Sequence, residues 1–505
     1  MPFDLVVING LIVTAAEILP EGTELGVKDG KISCLGRSLE RGADTQVLDA
    51  QGGYVTPGGV DSHVHFAQDN SPTGDSWESG SRSAIAGGNT TVLAFASQKR
   101  GDASVLGVVA AYHERARAQS YCDYGFHLIL TNPTPSIMGS EMAQLVREGI
   151  TSVKLYMTYE PLKLGDAQLL DVLMGARALG FTTMVHAENS DMISLITARL
   201  EAAGRTAPYF HALSRPQIAE NEATYRIIAL AELVDVPILI VHMSADVALR
   251  HVRQAQTRLL PIHAETCPQY LFLLSERLRG STHDPFDGAK HVCSPPLRHD
   301  PKDLDAMWRG IANGSFTTFS SDHAPSTYDH PGGKKLGLVK INGQSSYRHI
   351  PNGLPGVETR QPLLFNHAGS GPDAKLSLPR FVQLTSSNPA KLYGLDGVKG
   401  SIAPGYDADL VIWYPEGGGG GGETVVRQDI LHHGVDYTPY EGMTVKNWPR
   451  YTILRGKVAW DRDNGGVVGK KEDGQFLKRK LGKIVVGKTG GEVDGMLPGE
   501  RDLWA

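Results

Sequence analysis

Cysteine is scarce, with four in 505 residues, Cys34, Cys122, Cys267 and Cys293, and no Cys-x-x-Cys spacing. That argues against a disulfide framework and a structural zinc knuckle, and it fits a reducing compartment. No apolar run is long enough to span a membrane. The first residues, Met1-Pro2-Phe3-Asp4-Leu5, lack the basic start and apolar core of a signal peptide. Positive charge is not in excess: 49 Lys+Arg stand against 55 Asp+Glu, so a basic nucleic-acid surface is not expected. These absences lead to the expectation of a soluble cytoplasmic protein, with no nucleic acid and no membrane as partner.

What the chain does have is Asp61-Ser62-His63-Val64-His65, placed after the strand-like run Tyr54 to Val60. Side chains alternate faces along a strand, so His63 and His65 aim two imidazoles the same way. A His-x-His pair at a strand end suits zinc or a similar metal. From 57 onward, short apolar runs alternate with helical patterns. With the run ending at His63, the candidate strands are Thr90 to Ala96, Tyr124 to Leu130, Ser152 to Met157, Thr182 to Glu188, Ile238 to Ser244, Leu260 to Thr266 and Phe316 to Asp322. Helical patterns cover Asp166 to Leu179, Pro216 to Leu233 and Ala245 to Gln256, with Ser214 as the expected N-cap of the second and Pro216 in its first turn. This alternation predicts an α/β protein, a (β/α)8 TIM-like barrel, with an open doubly wound sheet as the alternative.

Both chain ends read as β. Asn9-Gly10, Asp29-Gly30 and Arg455-Gly456 each separate two apolar runs and predict hairpins. The ends are expected to join in one β-sandwich domain, from residues 1–56 and 396–463, around a barrel at 57–395. Residues 464–505 form a Gly- and Lys-rich tail, either loosely ordered or an oligomerisation arm. Gly417 to Gly422 is a run of six glycines without the Gly-Lys-Ser/Thr of a phosphate loop, and reads as a flexible surface loop.

Several candidate strands end in a residue able to bind metal: His63 and His65, Lys154, His186, His242 and Asp322. Barrel enzymes place their chemistry at these ends. Each residue has a plainer reading alone. His186 and His242 could be core histidines, Lys154 an edge lysine and Asp322 a helix cap. A charged lysine would repel a metal. A neutral one, favoured by burial, can take up CO2 as a carbamate that bridges two metals. His63, His65 and Asp322 would then hold one metal, and His186 and His242 the other.

The wider pattern resembles the dihydropyrimidinase and D-hydantoinase family, cyclic amidases of the amidohydrolase superfamily, from about residue 4 to about 480. The resemblance rests on Gly58 to His65, Val185-His186-Ala187-Glu188-Asn189, Ala264 to Tyr270, Cys293-Ser294-Pro295-Pro296-Leu297-Arg298, Ser321-Asp322-His323, Ile350 to Glu358, Asn388-Pro389-Ala390-Lys391 and Asp436 to Gly442. Tyr121 to Gly125 and Asn447 to Tyr451 look like fungal dihydropyrimidinases in particular. The resemblance implies two Zn2+ per subunit bridged by N6-carboxylated Lys154, and a homotetramer or homodimer. It also implies that Tyr159 binds the substrate carbonyl, that main-chain groups of Ser294 and Asn352 hold the ring amide, and that Asp322 acts as general base and acid. The expected reaction is hydrolytic ring opening of 5,6-dihydrouracil or dihydrothymine to N-carbamoyl-β-amino acids, with 5-substituted hydantoins as related substrates. Allantoin or cyclic imides are the alternative. A non-catalytic scaffold of the same fold is the other class, and it has no use for a complete ligand set. Dihydroorotases carry an arginine two residues after the His-x-His pair. Here that position is Ala67, which disfavours an acidic ring.

Overall fold

The β-branched and apolar runs form eight parallel strands in sequential order. They are β1 (Gly59–Val64), β2 (Asn89–Ser97), β3 (Asp123–Ile129), β4 (Ser152–Tyr156), β5 (Thr182–His186), β6 (Ile238–Ile240), β7 (Ile262–Thr266) and β8 (Thr318–Phe319). This computed structural model describes residues 3–69, 71–341, 343–415 and 422–483. Just past β8 the chain returns to β1: Val64 bridges His323, and the His65 amide donates to the His323 carbonyl at 2.7 Å. The sheet therefore curls into a barrel, and the open-sheet alternative falls away.

Strand interiors are continuously buried, as parallel strands covered on both faces should be. Val60, Leu93, Phe95, Met184 and Leu239 fill the barrel, and Leu392 and Tyr393 pack with them. The Leu392 carbonyl accepts from Thr182 Oγ1 at the start of β5, so this plug closes the N-terminal end and leaves the other end to the site. The helix Asp166–Leu179 forms where its periodicity predicts. Leu169, Val172, Leu173 and Ala176 recur at helical spacing and are buried, and Gly180 ends the helix at φ 75°, where a Cβ would be strained. Burying each large apolar side chain there contributes about 1.5–3 kcal/mol.

The helix expected from Pro216 runs Gln217–Val234, but its cap differs. Ser214 ends the preceding short helix Phe210–Ser214, and its hydroxyl donates to the His211 carbonyl. Pro216 is the N-cap, and Ser214 is already committed to its own turn. Asp322 caps nothing either, because the next helical turn after it is Lys334–Leu338.

Strands from both chain ends share one six-stranded sheet that includes Leu11–Ile12, Tyr54–Pro57, Leu410–Trp413 and Pro449–Leu454. A four-stranded sheet containing Leu5–Ile8 and Glu24–Lys28 packs on it through Leu5, Val7, Leu25, Val27, Val55, Leu410 and Ile453. Asp29-Gly30 and Arg455-Gly456 turn hairpins as expected, pairing Lys28 with Lys31 and Leu454 with Lys457. Asn9-Gly10 does not. Leu5–Ile8 pairs with Glu24–Lys28 and Gln46–Asp49, whereas Leu11–Ile12 pairs with Tyr54–Pro57 in the other sheet. The turn carries the chain between sheets, because each flanking run finds a better-matched partner elsewhere.

The tail as far as Lys483 lies against its own barrel. Tyr124 bridges Phe476, and the Lys480 amide donates to the Gly394 carbonyl at 3.0 Å. Residues 484–505, and 417–421 of the glycine run, lie outside the described residues. No helix among the described residues is long and apolar enough to cross a membrane.

Candidate active site

His63, His65, Lys154, Tyr159, His186, His242, Ser294, Asp322 and Asn352 all line one cavity of about 940 Å³ at the C-terminal end of the barrel. They come from six of the eight strands or the loops that follow them, with His63 and His65 at β1, Lys154 and Tyr159 at β4, and Asp322 and Asn352 after β8. The arrangement is the one that barrel geometry permits, with side chains from several strands converging above the packed interior.

Asp322 Oδ1 lies 3.1 Å from His63 Nε2 and 3.7 Å from His65 Nε2. These three side chains present ligand atoms all within 4.8 Å of one another, close enough for one cation. Beside them the His186 and His242 rings lie with centroids 4.4 Å apart, and the His242 centroid is 5.5 Å from that of His63. Lys154 is fully buried beside them. Its Nζ lies 3.4 Å from His63 Nε2, and among the described residues that is its one hydrogen-bond contact. An edge lysine would reach water, and this one does not.

Electrostatics favour a neutral ligand set. Burial pulls His65 down to about 3 and His186 down to about 4, with Lys154 adding to both shifts. His63 and His242 are lowered by burial as well. Neutral imidazole is the form that binds a metal. Lys154 is itself lowered by burial, and Asp322 is raised by it. His242 Nδ1 is buried with no protein partner, an orphan that a bound group would satisfy. The backbone is also held in a costly region here: φ is 41° at His242, 48° at Asp322 and 66° at Tyr159.

Around these residues sits a layer whose roles were not read from the sequence. Glu265, near the end of β7, lies 2.7 Å from His63 Nδ1. A proton on Nδ1 donates there and leaves the Nε2 lone pair facing Asp322. Glu188 contacts the opposite ring nitrogen of His186, Nε2, at 2.7 Å, which among the described residues leaves Nδ1 free, and it also accepts from Arg215 at 2.7 Å. Burial pushes Glu188 up, but Arg215 and His186 more than offset it, holding the carboxyl at about 2. His323 accepts the Gly356 and Val357 amides on Nδ1 and contacts Asp75 through Nε2 at 2.7 Å, pinning the backbone beside Asp322. Glu188, Glu265 and His323 stand inside the motifs quoted above. A carboxylate two residues after His186 was the available signal, but one side chain's partner in a fold cannot be read from spacing alone.

Tyr159 faces this centre. Asn352 Nδ2 donates to its hydroxyl at 3.2 Å, and the Arg215 guanidinium lies 5.0 Å from its ring centroid. Ser294 Oγ lies 3.4 Å from His211 Nε2. Among the described residues, no backbone hydrogen bond occupies the main-chain groups of Ser294 or Asn352.

The family model described as "Amidohydrolase family" matches residues 54–459. This chain belongs to the amidohydrolase family. It is 41% identical over 480 residues to a D-hydantoinase of Ralstonia pickettii, spanning 94% of this chain and 99% of the relative. Among solved structures, a D-hydantoinase superposes with a TM-score of 0.87 at 40% identity, covering 95% of this chain and all of that one. A dihydropyrimidinase from Brevibacillus agri NCHU1002 also gives 0.87, at 35% identity, covering 94% and 99%. These amidohydrolase relatives extend over the barrel and both sheets of the sandwich.

Proposed function

We propose that this amidohydrolase opens cyclic amide rings by hydrolysis. The favoured substrates are 5,6-dihydrouracil and dihydrothymine, giving N-carbamoyl-β-amino acids, with 5-substituted hydantoins as related substrates. The observation that carries the reading is the convergence of six metal-competent residues and the Tyr159–Asn352 pair on one cavity. Names of the relatives, D-hydantoinase and dihydropyrimidinase, support it.

The residues fit a two-zinc centre. His63, His65 and Asp322 would hold one ion, His186 and His242 the other, and N6-carboxylated Lys154 would bridge them. Two features favour the carbamate: burial lowers the Lys154 amine, and no protein carboxylate lies close enough to pair with it among the described residues. When bound, the metal pair lowers the pKa of water towards neutrality and polarises the scissile carbonyl.

The protein supplies the rest. Burial raises the Tyr159 phenol, so it stays protonated and able to donate to the oxygen that gains charge. Asn352 donates to that hydroxyl, which leaves the phenolic proton free for the substrate. Main-chain groups of Ser294 and Asn352 hold the ring amide. Asp322 accepts a proton from the attacking water and returns it to the leaving ring nitrogen. The reading also carries a cytoplasmic homotetramer or homodimer, which light scattering would test.

The direct experiment follows the ultraviolet absorbance of 5,6-dihydrouracil with protein supplied with zinc and bicarbonate. Rapid loss is expected. No loss with dihydrouracil or any hydantoin, at two metals per chain, would overturn the reading. Lys154→Ala should lose activity and metal. Normal activity with both metals retained would remove the bridge.

A further inference from the structure

Lys334 is not among the residues that line the cavity, yet it touches both segments that hold substrate in the reading above. It opens the turn Lys334–Leu338 and its side chain is fully buried. Nζ donates to three main-chain carbonyls: Val292 at 3.0 Å, Pro351 at 2.6 Å and Gly353 at 2.7 Å. Val292 stands two residues before Ser294. Pro351 and Gly353 flank Asn352. The Gly353 amide also donates to the Val292 carbonyl at 3.0 Å, so the two segments meet and Lys334 sits at their junction.

The surroundings leave little slack. Gly353 has φ 124°, and a Cβ there would fall 2.1 Å from the Ala324 carbonyl oxygen, two residues past Asp322. The Lys334 amide donates to the Thr327 carbonyl at 2.9 Å. A Cβ on Gly333 would fall 1.9 Å from that same oxygen, so the backbone that delivers the lysine is tightly seated.

The chemistry is unusual for a merely structural residue. Three acceptors need the three donors of an ammonium. Among the described residues no carboxylate pairs with Nζ. Cys293, raised by burial to about 12, faces it, and so do His211 and His291, each lowered by burial to about 3. All three are neutral near pH 7. Burial pulls the Lys334 amine itself down to about 7, with Cys293 acting in the other direction. An apolar side chain would fill this space without burying a charge. What the ammonium adds is fixed orientation of three peptide groups.

We propose that Lys334 is a positioning residue for the substrate-holding backbone, its ammonium clamping the Ser294 and Asn352 segments in one relative placement. This rests on the ring-opening reading. The test compares wild type, Lys334→Met and Lys334→Ala as zinc-loaded holoenzymes. For dihydrouracil, Lys334→Met should raise KM about tenfold or more, with metal content unchanged and kcat less affected. Methylammonium should lower the raised KM of Lys334→Ala by refilling the ammonium position, and should not help Lys334→Met. Backbone hydrogen exchange of residues 292–295 and 350–354 should quicken in both variants, with methylammonium slowing it again in Lys334→Ala. Wild-type KM in Lys334→Met would overturn the proposal. So would unchanged exchange in those segments, a readout that needs no turnover. A wild-type enzyme inert towards every cyclic amide, with exchange responding as stated, would sink the ring-opening reading and leave the clamp standing.

Discussion

Lys154 and Lys399 are both fully buried, and burial leaves them in opposite states. Lys399 lies where the barrel meets the sandwich. Its Nζ contacts Asp123 at 2.5 Å, Asp409 at 2.7 Å and Asp407 at 3.0 Å, and Arg455 joins on Asp123. Burial alone would lower its pKa, but the three carboxylates more than offset this and raise it. Lys154 has neutral imidazoles beside it and no paired carboxylate among the described residues, so burial prevails and its amine is lowered. The same side chain is a cross-link at one place and an unpaired amine, lowered by burial, at the other. A saturated polar cluster holds a joint, whereas an unsaturated one is left ready for a ligand.

The contrast sharpens most at Asp322. Asp322→Asn removes the carboxylate proposed to carry the proton and should lower kcat about 10² to 10⁴-fold while leaving thermal stability near wild type. A parallel collapse of stability would place Asp322 with the joint. Next come the lysines themselves. Lys399→Met takes the one cation from Asp409 and one of two from Asp123 and Asp407, which keep Arg455 and Lys31, and should cost about 3–5 kcal/mol in urea unfolding. Lys154→Met in metal-free protein should leave stability unchanged or raise it, because it removes an unpaired buried amine. Equal losses in the two variants would erase the distinction.

A smaller effect is expected at Glu265, whose carboxylate contacts His63 Nδ1. Glu265→Gln should weaken metal affinity about 10- to 100-fold, read by competition with a chelator. The smallest concerns acid. His186 is held at about 4, and His211 and His291 at about 3, against about 6.5 for an unfolded histidine. The folded state thus binds fewer protons than the unfolded one between pH about 6.5 and 3. The stability these histidines contribute is full above 6.5 and is lost as pH falls through that window. The melting temperature of the apo protein should drop accordingly. A flat profile there would mean that these sites open to water before the molecule unfolds.

Much of the site was legible because strands have a period of two and barrels gather strand ends. His63, His65, Lys154, His186, His242 and Asp322 stand in order along the sequence, and all line the same cavity. Ser294, Asn352 and Tyr159 came through resemblance. Lys334 went unread for a physical reason: its partners are carbonyl groups, which every residue possesses, so no residue type marks them. The role of Glu188 was equally hidden, since its choice of Arg215 over solvent depends on burial.

Local sequence by itself determined the alternation of strand and helix, the Gly180 helix stop and the hairpins at Asp29-Gly30 and Arg455-Gly456, because these follow from backbone sterics and side-chain period. Tertiary structure alone decided that Asn9-Gly10 crosses between sheets, since pairing depends on which distant strand offers the better face. It also decided the state of each buried lysine. Lys399 meets Asp123 across 276 positions of chain, and Lys154 meets His63 across 91. Charge in a low-dielectric interior is set by what stands within a few ångströms, and only the folded chain brings those neighbours there.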